Sequence, residues 1–416
     1  MRYRQLIIPA LLTLALAACT SGGSATPTPT APATPPALTT AAGPAASPTR
    51  APVPDRPAAL KDYALTAAAY LSDDSAAASS SPCLADLYAA WKMPGVTAAK
   101  SCVAGNTDGD PADEVAAVFA QSGDNPGAPL SVEVAIFDAT PSGFRVAYES
   151  AIQPITTGAA DALDEILVAI GDVNPGASGE LVYELPDCGA HTCHKSVYAV
   201  RGTAAGYVDL TPPSGISMEY PDLKFEDVDG DGKRDIVLYG GEIGSVGAGP
   251  QRKRTEIWAW DGAAYALRSR TFDKPVFLYH AVKDADALFA TADYADAAAA
   301  YLAAVDDKQL TSWKPAPDER NELESYTLFR AGLAELVGNG DRDNAMALFA
   351  RANGYAGTLH HQLAGSFAAA YGAKSNISGA CTEVRDDIRA NIDEYNAFWD
   401  FGYGNPPFDA DAVCPF

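Results

Sequence analysis

A chain of 416 residues can bury more than one core, so two folded domains are expected. Its 29 Lys and Arg stand against 53 Asp and Glu, and a formal charge of −24 disfavours nucleic acid and anionic headgroups as partners while favouring solubility and metal cations. Most of these carboxylates read as solvated surface, and only clustered ones point to a site.

Arg2 and Arg4 precede an apolar run, Leu6 to Ala18, that ends in Leu16-Ala17-Ala18-Cys19. A run of this length is too short to span a bilayer and suits the core of a signal peptide over 1–18. The Leu-Ala-Ala-Cys ending resembles the lipobox of bacterial lipoproteins. That resemblance implies lipidation of Cys19, cleavage just before it, and an anchor in the cell membrane on its extracytoplasmic face. Two acyl chains bury enough methylenes for stable anchoring. Loss of Arg2 and Arg4 takes the charge from −24 to −26.

Residues 19–57 hold ten prolines among Thr, Ala, Ser and Gly, with Leu38 the one aliphatic side chain larger than Val. Such a segment buries too little apolar area to offset its ordering entropy and is expected to be a disordered, extended stalk. Residues 58–96 carry two helical patterns, Ala58–Leu71 and Leu84–Trp91, the second ended by Pro94-Gly95.

Six cysteines follow Cys19: Cys83, Cys102, Cys188, Cys193, Cys381 and Cys414. The number is even, and export implies a compartment where disulfides persist. Proximity selects Cys83–Cys102, Cys188–Cys193 and Cys381–Cys414, each closing a loop inside one structural unit.

From 97 to 276 the pattern changes to short runs of period two, among them Glu114–Phe119, Ser131–Phe137, Leu181–Leu185, Ile236–Tyr239 and Glu256–Trp260. Turn residues such as Pro141-Ser142-Gly143 and Asp261-Gly262 join them, so an all-β region built of hairpins is expected. Inside it lies Asp227-Val-Asp229-Gly-Asp231-Gly-Lys233-Arg-Asp235. Carboxylates at alternate positions, a Gly for the sharp turn and a fourth acid eight residues after the first can wrap oxygens around a hard cation. Calcium takes six to eight oxygens at roughly 2.3–2.6 Å, and a backbone carbonyl, as at Lys233, with water would complete the set. The loop is no EF-hand, since Leu238 replaces the bidentate Glu and strands rather than helices flank it.

The same frame recurs. Asn106, Asp108, Asp110 and Glu114 keep all four offsets ahead of Val115, and Asp172, Asn174 and Glu180 keep three ahead of Leu181. Three occurrences in one register, each leading into a strand, indicate a structural repeat. These loops resemble the FG-GAP/VCBS repeats of integrin α-chain-like β-propellers, whose calcium loops lie between strands. The resemblance implies a mainly β, propeller-like domain of about three four-stranded units stapled by structural Ca2+. Three units are fewer than the four to eight blades of an ordinary closed propeller.

Helical spacing returns over 277–416. Asp293-Tyr294, Ala297, Tyr301 and Ala304 follow a helix pattern at Ala281–Ala290. Asp341, Ala345, Phe349 and Ala352 follow another at Leu323–Val337, and a third unit is possible at Leu359–Ile392. Small residues let antiparallel helices approach, and the aromatic four positions on fills the next groove. The spacing resembles tetratricopeptide repeats, implying an all-α repeat domain whose groove takes an extended peptide; a plain helical bundle is the alternative. An aromatic tail, Phe398–Phe416, is expected to dock on the last helices through Cys381–Cys414.

No catalytic constellation stands out. Cys188, His191, Cys193 and His194 are spaced too tightly for ordinary zinc ligation, so a disulfide-pinned hairpin is expected. His360-His361 reads as surface, without a partner acid nearby. Gly244–Gly249 lacks the Lys and Ser/Thr of a phosphate loop and reads as a connection between strands. The expected role is non-catalytic: a surface-anchored, calcium-binding lipoprotein that adheres to or scaffolds a protein or polysaccharide. The alternatives are a cell-envelope hydrolase acting on glycans or peptides, or an accessory subunit of a secretion or transport complex.

Overall fold

In a computed structural model of the protein the described residues are 51–416, apart from 81–82, 124, 126–127, 157–162, 164–165, 172–178 and 315–316. The proposed signal peptide, Cys19 and residues 20–50 of the stalk lie outside them. Four short helices come first: α1 (Tyr63–Asp73), α2 (Ala76–Ser79), α3 (Ala85–Trp91) and α4 (Ala98–Ser101). Tyr63, Ala64, Ala67 and Leu71 are buried at helical spacing, and the Cys83–Cys102 disulfide ties the start of α3 to the first strand.

Three antiparallel sheets follow, each an up-and-down meander that explains the period-two runs. The first runs β1 (Cys102–Gly105), β2 (Glu114–Ser122), β3 (Leu130–Thr140) and β4 (Gly143–Glu149), with β5 (Gln153–Ile155) also paired to β3. In the second, β6 (Leu167–Gly171), β7 (Glu180–Cys188) and β8 (Cys193–Thr203) are followed by β9 (Gly206–Asp209) and β10 (Ile216–Glu219), both paired to β8. The third runs β11 (Asp222–Glu226), β12 (Asp235–Gly240), β13 (Arg254–Trp260) and β14 (Tyr265–Phe272). Cys188 and Cys193 are directly opposite across the β7–β8 hairpin and are disulfide-bonded.

Alternation of side chains along the strands shows how the sheets stack. On β7, Leu181, Tyr183 and Leu185 join the core shared with the first sheet and α1–α4, whereas Val182 joins the core shared with the third. On β8, Val200 faces the first core and Val197 and Ala199 the second. The middle sheet is therefore covered on both faces, by its neighbours in chain order. The first sheet is covered on its far side by the N-terminal helices, where Phe119 meets Tyr63, Tyr88 and Trp91 at ring separations of 6.2–6.4 Å. Among the described residues the sheets form no closed barrel.

The helical region contains α5 (Leu278–Ala290), α6 (Tyr294–Asp306), α7 (Pro317–Ala334), α8 (Arg342–Asn353), α9 (Leu359–Lys374) and α10 (Ile377–Ala390). A wider π turn, Glu335–Asn339, extends α7. Two short helices follow, α11 (Ile392–Trp399) and α12 (Ala410–Val413). The expected small-and-aromatic sets, Ala297, Tyr301 and Ala304 on α6 and Ala345, Phe349 and Ala352 on α8, are buried. Helix α7 gives way to Phe349 at Gly332, where a Cβ would lie 2.5 Å from its ring.

The tail returns to the third sheet. Tyr403 and Gly404 donate backbone N–H groups to the carbonyls of Gly247 and Ala248 (3.2 and 3.1 Å), and the Asn405 amide reaches Ala248 and Pro250. The glycines of 244–249 thus serve a close backbone approach: at Gly249, with φ +83°, a Cβ would overlap the Phe401 carbonyl. Cys381–Cys414 fastens the tail to α10. Residues Arg50–Phe416 form one compact unit.

Candidate functional site

The first and third acidic loops occupy the same place in their sheets, between the first strand and the second. Register makes the equivalence tight: Gly105 pairs with Glu114, Gly171 with Glu180, and Glu226 with Asp235, so the last acid of each frame opens the second strand opposite the residue that closes the first. Of the second loop, Asp172 and Asn174 lie outside the described residues; Glu180 is buried and ion-paired with Arg201 on β8.

Hydrogen bonds repeat position by position between the other two loops. Asn106 Oδ1 and Asp227 Oδ1 accept from the N–H groups of Gly109 and Gly230, each at 2.8 Å. Asp108 and Asp229 accept from the N–H groups of Asp110 and Asp231, at 2.9 and 3.1 Å. Asp110 and Asp231 accept two residues on, from Ala112 (2.7 Å) and Lys233 (2.8 Å). Glu114 and Asp235 each reach back to the N–H that follows the first loop residue, Thr107 at 2.5 Å and Val228 at 3.4 Å. Gly109 and Gly230 take left-handed backbone, φ +86° and +77°, which the sharp turn requires.

Their carboxylates converge differently. In the first loop, oxygens of Asp108, Asp110 and Glu114 lie within 4.8 Å of one another. Glu114 is fully buried; one of its oxygens accepts from Thr107 and the other, Oε1, has no hydrogen-bond partner. Burial raises the Glu114 pKa, the Thr107 hydrogen bonds oppose the rise, and the charges of Asp108 and Asp110 add to it. In the third loop the cluster is Asp227, Asp229 and Asp231, all exposed, and Asp235 is not part of it. Expected as the fourth metal ligand, Asp235 instead turns inward, accepting from the N–H groups of Val228 and Trp260. Its carboxylate is one methylene shorter than that of Glu114 and is held by backbone on both sides. Asp229 is also paired with Arg268 from β14, and its pKa is lowered by the Asp231 N–H first and by that guanidinium next. Lys233 enters the loop through its N–H to Asp231.

A buried carboxylate that has one oxygen without a partner and clusters with two further carboxylates offers the donor chemistry a hard divalent cation seeks. Asp108, Asp110 and Glu114 fit that role with Asn106 beside them, although the Asn106 amide is also bonded to the Ala112 carbonyl. The third loop fits less completely.

Other sequence expectations resolve plainly. The Cys188–Cys193 disulfide removes both sulfurs from any zinc set, and His194 lies 3.6 Å from Glu219. His360, expected on the surface, is fully buried and has its acid: Nδ1 lies 2.8 Å from Glu322 Oε2, and Nε2 takes the Trp399 indole N–H at 3.1 Å. Glu322 is distant in sequence, on α7, which is why the pair was not legible. Trp399 and Phe401 are buried, with Phe401 stacked on Tyr279 at 4.0 Å, and Tyr403 is exposed. Asp286 stands in no sequence motif, yet it accepts from the Tyr301 and Tyr326 hydroxyls and pairs with Lys283 and Arg330. The signal available was polar residues on the buried face of α7, namely Glu322, Ser325 and Arg330. Among the described residues no helix is long and apolar enough to cross a membrane.

No protein-family model, no curated protein and no solved structure matches the chain.

Proposed function

We propose that the protein is an exported lipoprotein, anchored through Cys19, whose β region is an arc of three FG-GAP-like blades stapled by Ca2+ and whose function is to bind rather than to catalyse. Its partner is a protein or polysaccharide met outside the membrane. The observation that carries this reading is the position-by-position repeat of the acidic loop, with the same cross-strand register in three sheets and the same four loop hydrogen bonds in two of them. A turn that only reverses the chain has no need of three converging carboxylates and a buried, unpartnered oxygen. Leu16-Ala17-Ala18-Cys19 supports the anchor, and three formed disulfides agree with an oxidising compartment. The helical hairpins support a tetratricopeptide-like surface for the partner.

Calcium held by the folded state alone stabilises it by about 2.7 kcal/mol at a hundred times the dissociation constant. Thermal melting in millimolar Ca2+ is therefore expected well above melting in chelator. Asp108→Ala is expected to remove the larger part of that shift and Asp231→Ala a smaller part. Equal melting with and without Ca2+, in wild type and both variants, would remove the metal from the account.

A further inference from the structure

A cavity of about 1020 Å³ lies between the third sheet, α5 and the returning tail. Its charge runs against that of the chain. Arg252, Arg254, Arg270, Lys283 and Arg330 line it against Asp284, Asp286 and Asp409: five of the 29 basic residues but three of the 53 acids. The acids are also shared. Arg254 and Arg270 both bond to Glu256 Oε1, at 2.7 and 2.8 Å, Arg254 extends to Glu219 at 3.6 Å, and Arg252 pairs with Asp284; of these three arginines Arg270 is the half-exposed one. Lys283 and Arg330 together lean on Asp286.

The cavity has two unlike ends. His280, Lys283, Asp284, Ala287 and Ala290 mark its course along one face of α5, roughly 15 Å at 1.5 Å per residue. Toward the sheet stand Arg254 of β13 and Arg270 of β14, and Arg252 next to them pairs with Asp284 of α5. At the other end Phe289, Tyr294 and Phe416 cluster with ring centroids 5.0–6.1 Å apart; Phe289 is buried beneath the Arg330 guanidinium at 3.7 Å, and Tyr294 and Phe416 are partly exposed. Between them lie a carboxylate, Asp286, and two amides, Gln251 and Asn405.

We infer that this cavity binds an extended acidic peptide, its carboxylate at Arg270 and Arg254 and an apolar side chain against Phe289, Tyr294 and Phe416. The inference rests on the reading of the chain as a binding protein and names the ligand class. An extended backbone of four or five residues spans about 15 Å, and it presents both donors and acceptors to the polar middle. A saccharide matches less well. The ring faces it would stack on are taken: Lys283 lies 4.6 Å from the Trp399 centroid, Arg252 4.7 Å from that of Phe272, and Phe408 stacks on Trp399. A sugar also has nothing apolar enough for the far end.

The test uses the full soluble chain from residue 20 onward and fluorescence polarisation with a labelled pool of pentapeptides, aromatic or aliphatic at the first two positions and ending in a free Asp or Glu. A matched pool ending in Lys amide and an unlabelled oligogalacturonate serve as the other arms. The acidic pool is expected to bind, the basic pool not to, and Arg270→Ala or Lys283→Ala to weaken binding about tenfold or more with melting held within a few degrees. Tyr294→Ala is expected to weaken it too, without changing its salt dependence. Absence of binding by the acidic pool, equal binding by the basic pool, or binding unmoved by all three variants overturns the inference. Oligogalacturonate binding in place of peptide overturns it in favour of an anionic saccharide. Calcium-dependent melting is measured separately, so loss of the peptide result leaves the metal reading standing or falling by itself.

Discussion

Two buried ionisable side chains show how residue chemistry here departs from its sequence appearance. Glu133 sits in β3 opposite Phe119, inside a sheet covered on both faces. One of its oxygens has no partner, and its pKa is pushed up to about 7, by burial first and by Glu149 next. A raised acid favours the folded state below its unfolded pKa, near 4.5, and that advantage is lost as pH rises through about 7. Glu133→Gln is therefore expected to raise unfolding free energy by about 1–3 kcal/mol at pH 8 and to leave it nearly unchanged at pH 4, read from urea midpoints. His360 works in the opposite sense. The Trp399 indole can only donate, so Nε2 accepts and Nδ1 carries the proton toward Glu322. Burial lowers the His360 pKa although Glu322 opposes it. The neutral ring's contribution is complete above the unfolded value, about 6.5, and is lost as pH falls through the folded one. In a Glu133→Gln background, stability should fall as pH drops below about 6.5, and His360→Asn should flatten that fall. A slope the same in both proteins would mean that His360 does not titrate in this window.

At the scale of elements, two glycine-rich segments that look alike in sequence do different things. Gly109 and Gly230 turn a loop so that side chains converge, whereas Gly249 makes room for another backbone. Gly249→Ala puts a methyl into the Phe401 carbonyl at a positive φ and is expected to cost about 2–4 kcal/mol. Gly372→Ala, in α9 with nothing within 4 Å of the new methyl, is expected to stabilise by about 0.5–1 kcal/mol. A melting temperature for Gly249→Ala that is unchanged or raised would contradict the tail's docking. The hairpin strands were legible because their alternation reports the pleat, as were the small-and-aromatic sets on α6 and α8, because helical spacing reports a packed face. Helix α7 was less legible beyond its apolar pattern: Glu322, Ser325 and Arg330 are polar yet buried, satisfied by His360, the Ala352 carbonyl, and Asp286 with the tail carbonyls.

For the whole molecule, the order of stacking follows the order of the chain. Each sheet is a local meander, adjacent sheets in sequence are adjacent in space, and the disulfides close separations of 19, 5 and 33 residues. Such local connections keep the entropy of loop closure small. The tail makes a longer-range connection, bringing residues 403–405 back to 247–250 and so forming one wall of the cavity. That return joins the helical region to the third sheet and gathers five cations into a molecule of net charge −24.

The sequence by itself determined what depends on near neighbours: β structure followed by helices, the cysteine partners, and the repeated frame of oxygen donors. Each rests on spacing within a strand, a turn or a helical hairpin, where the backbone leaves few alternatives. Only the tertiary structure decided that Asp235 turns inward while Glu114 keeps a free oxygen, that Glu322 finds His360, and that a cationic cavity opens beside α5. Those outcomes turn on which side chains meet across elements far apart in the chain, and on what burial then does to their charge.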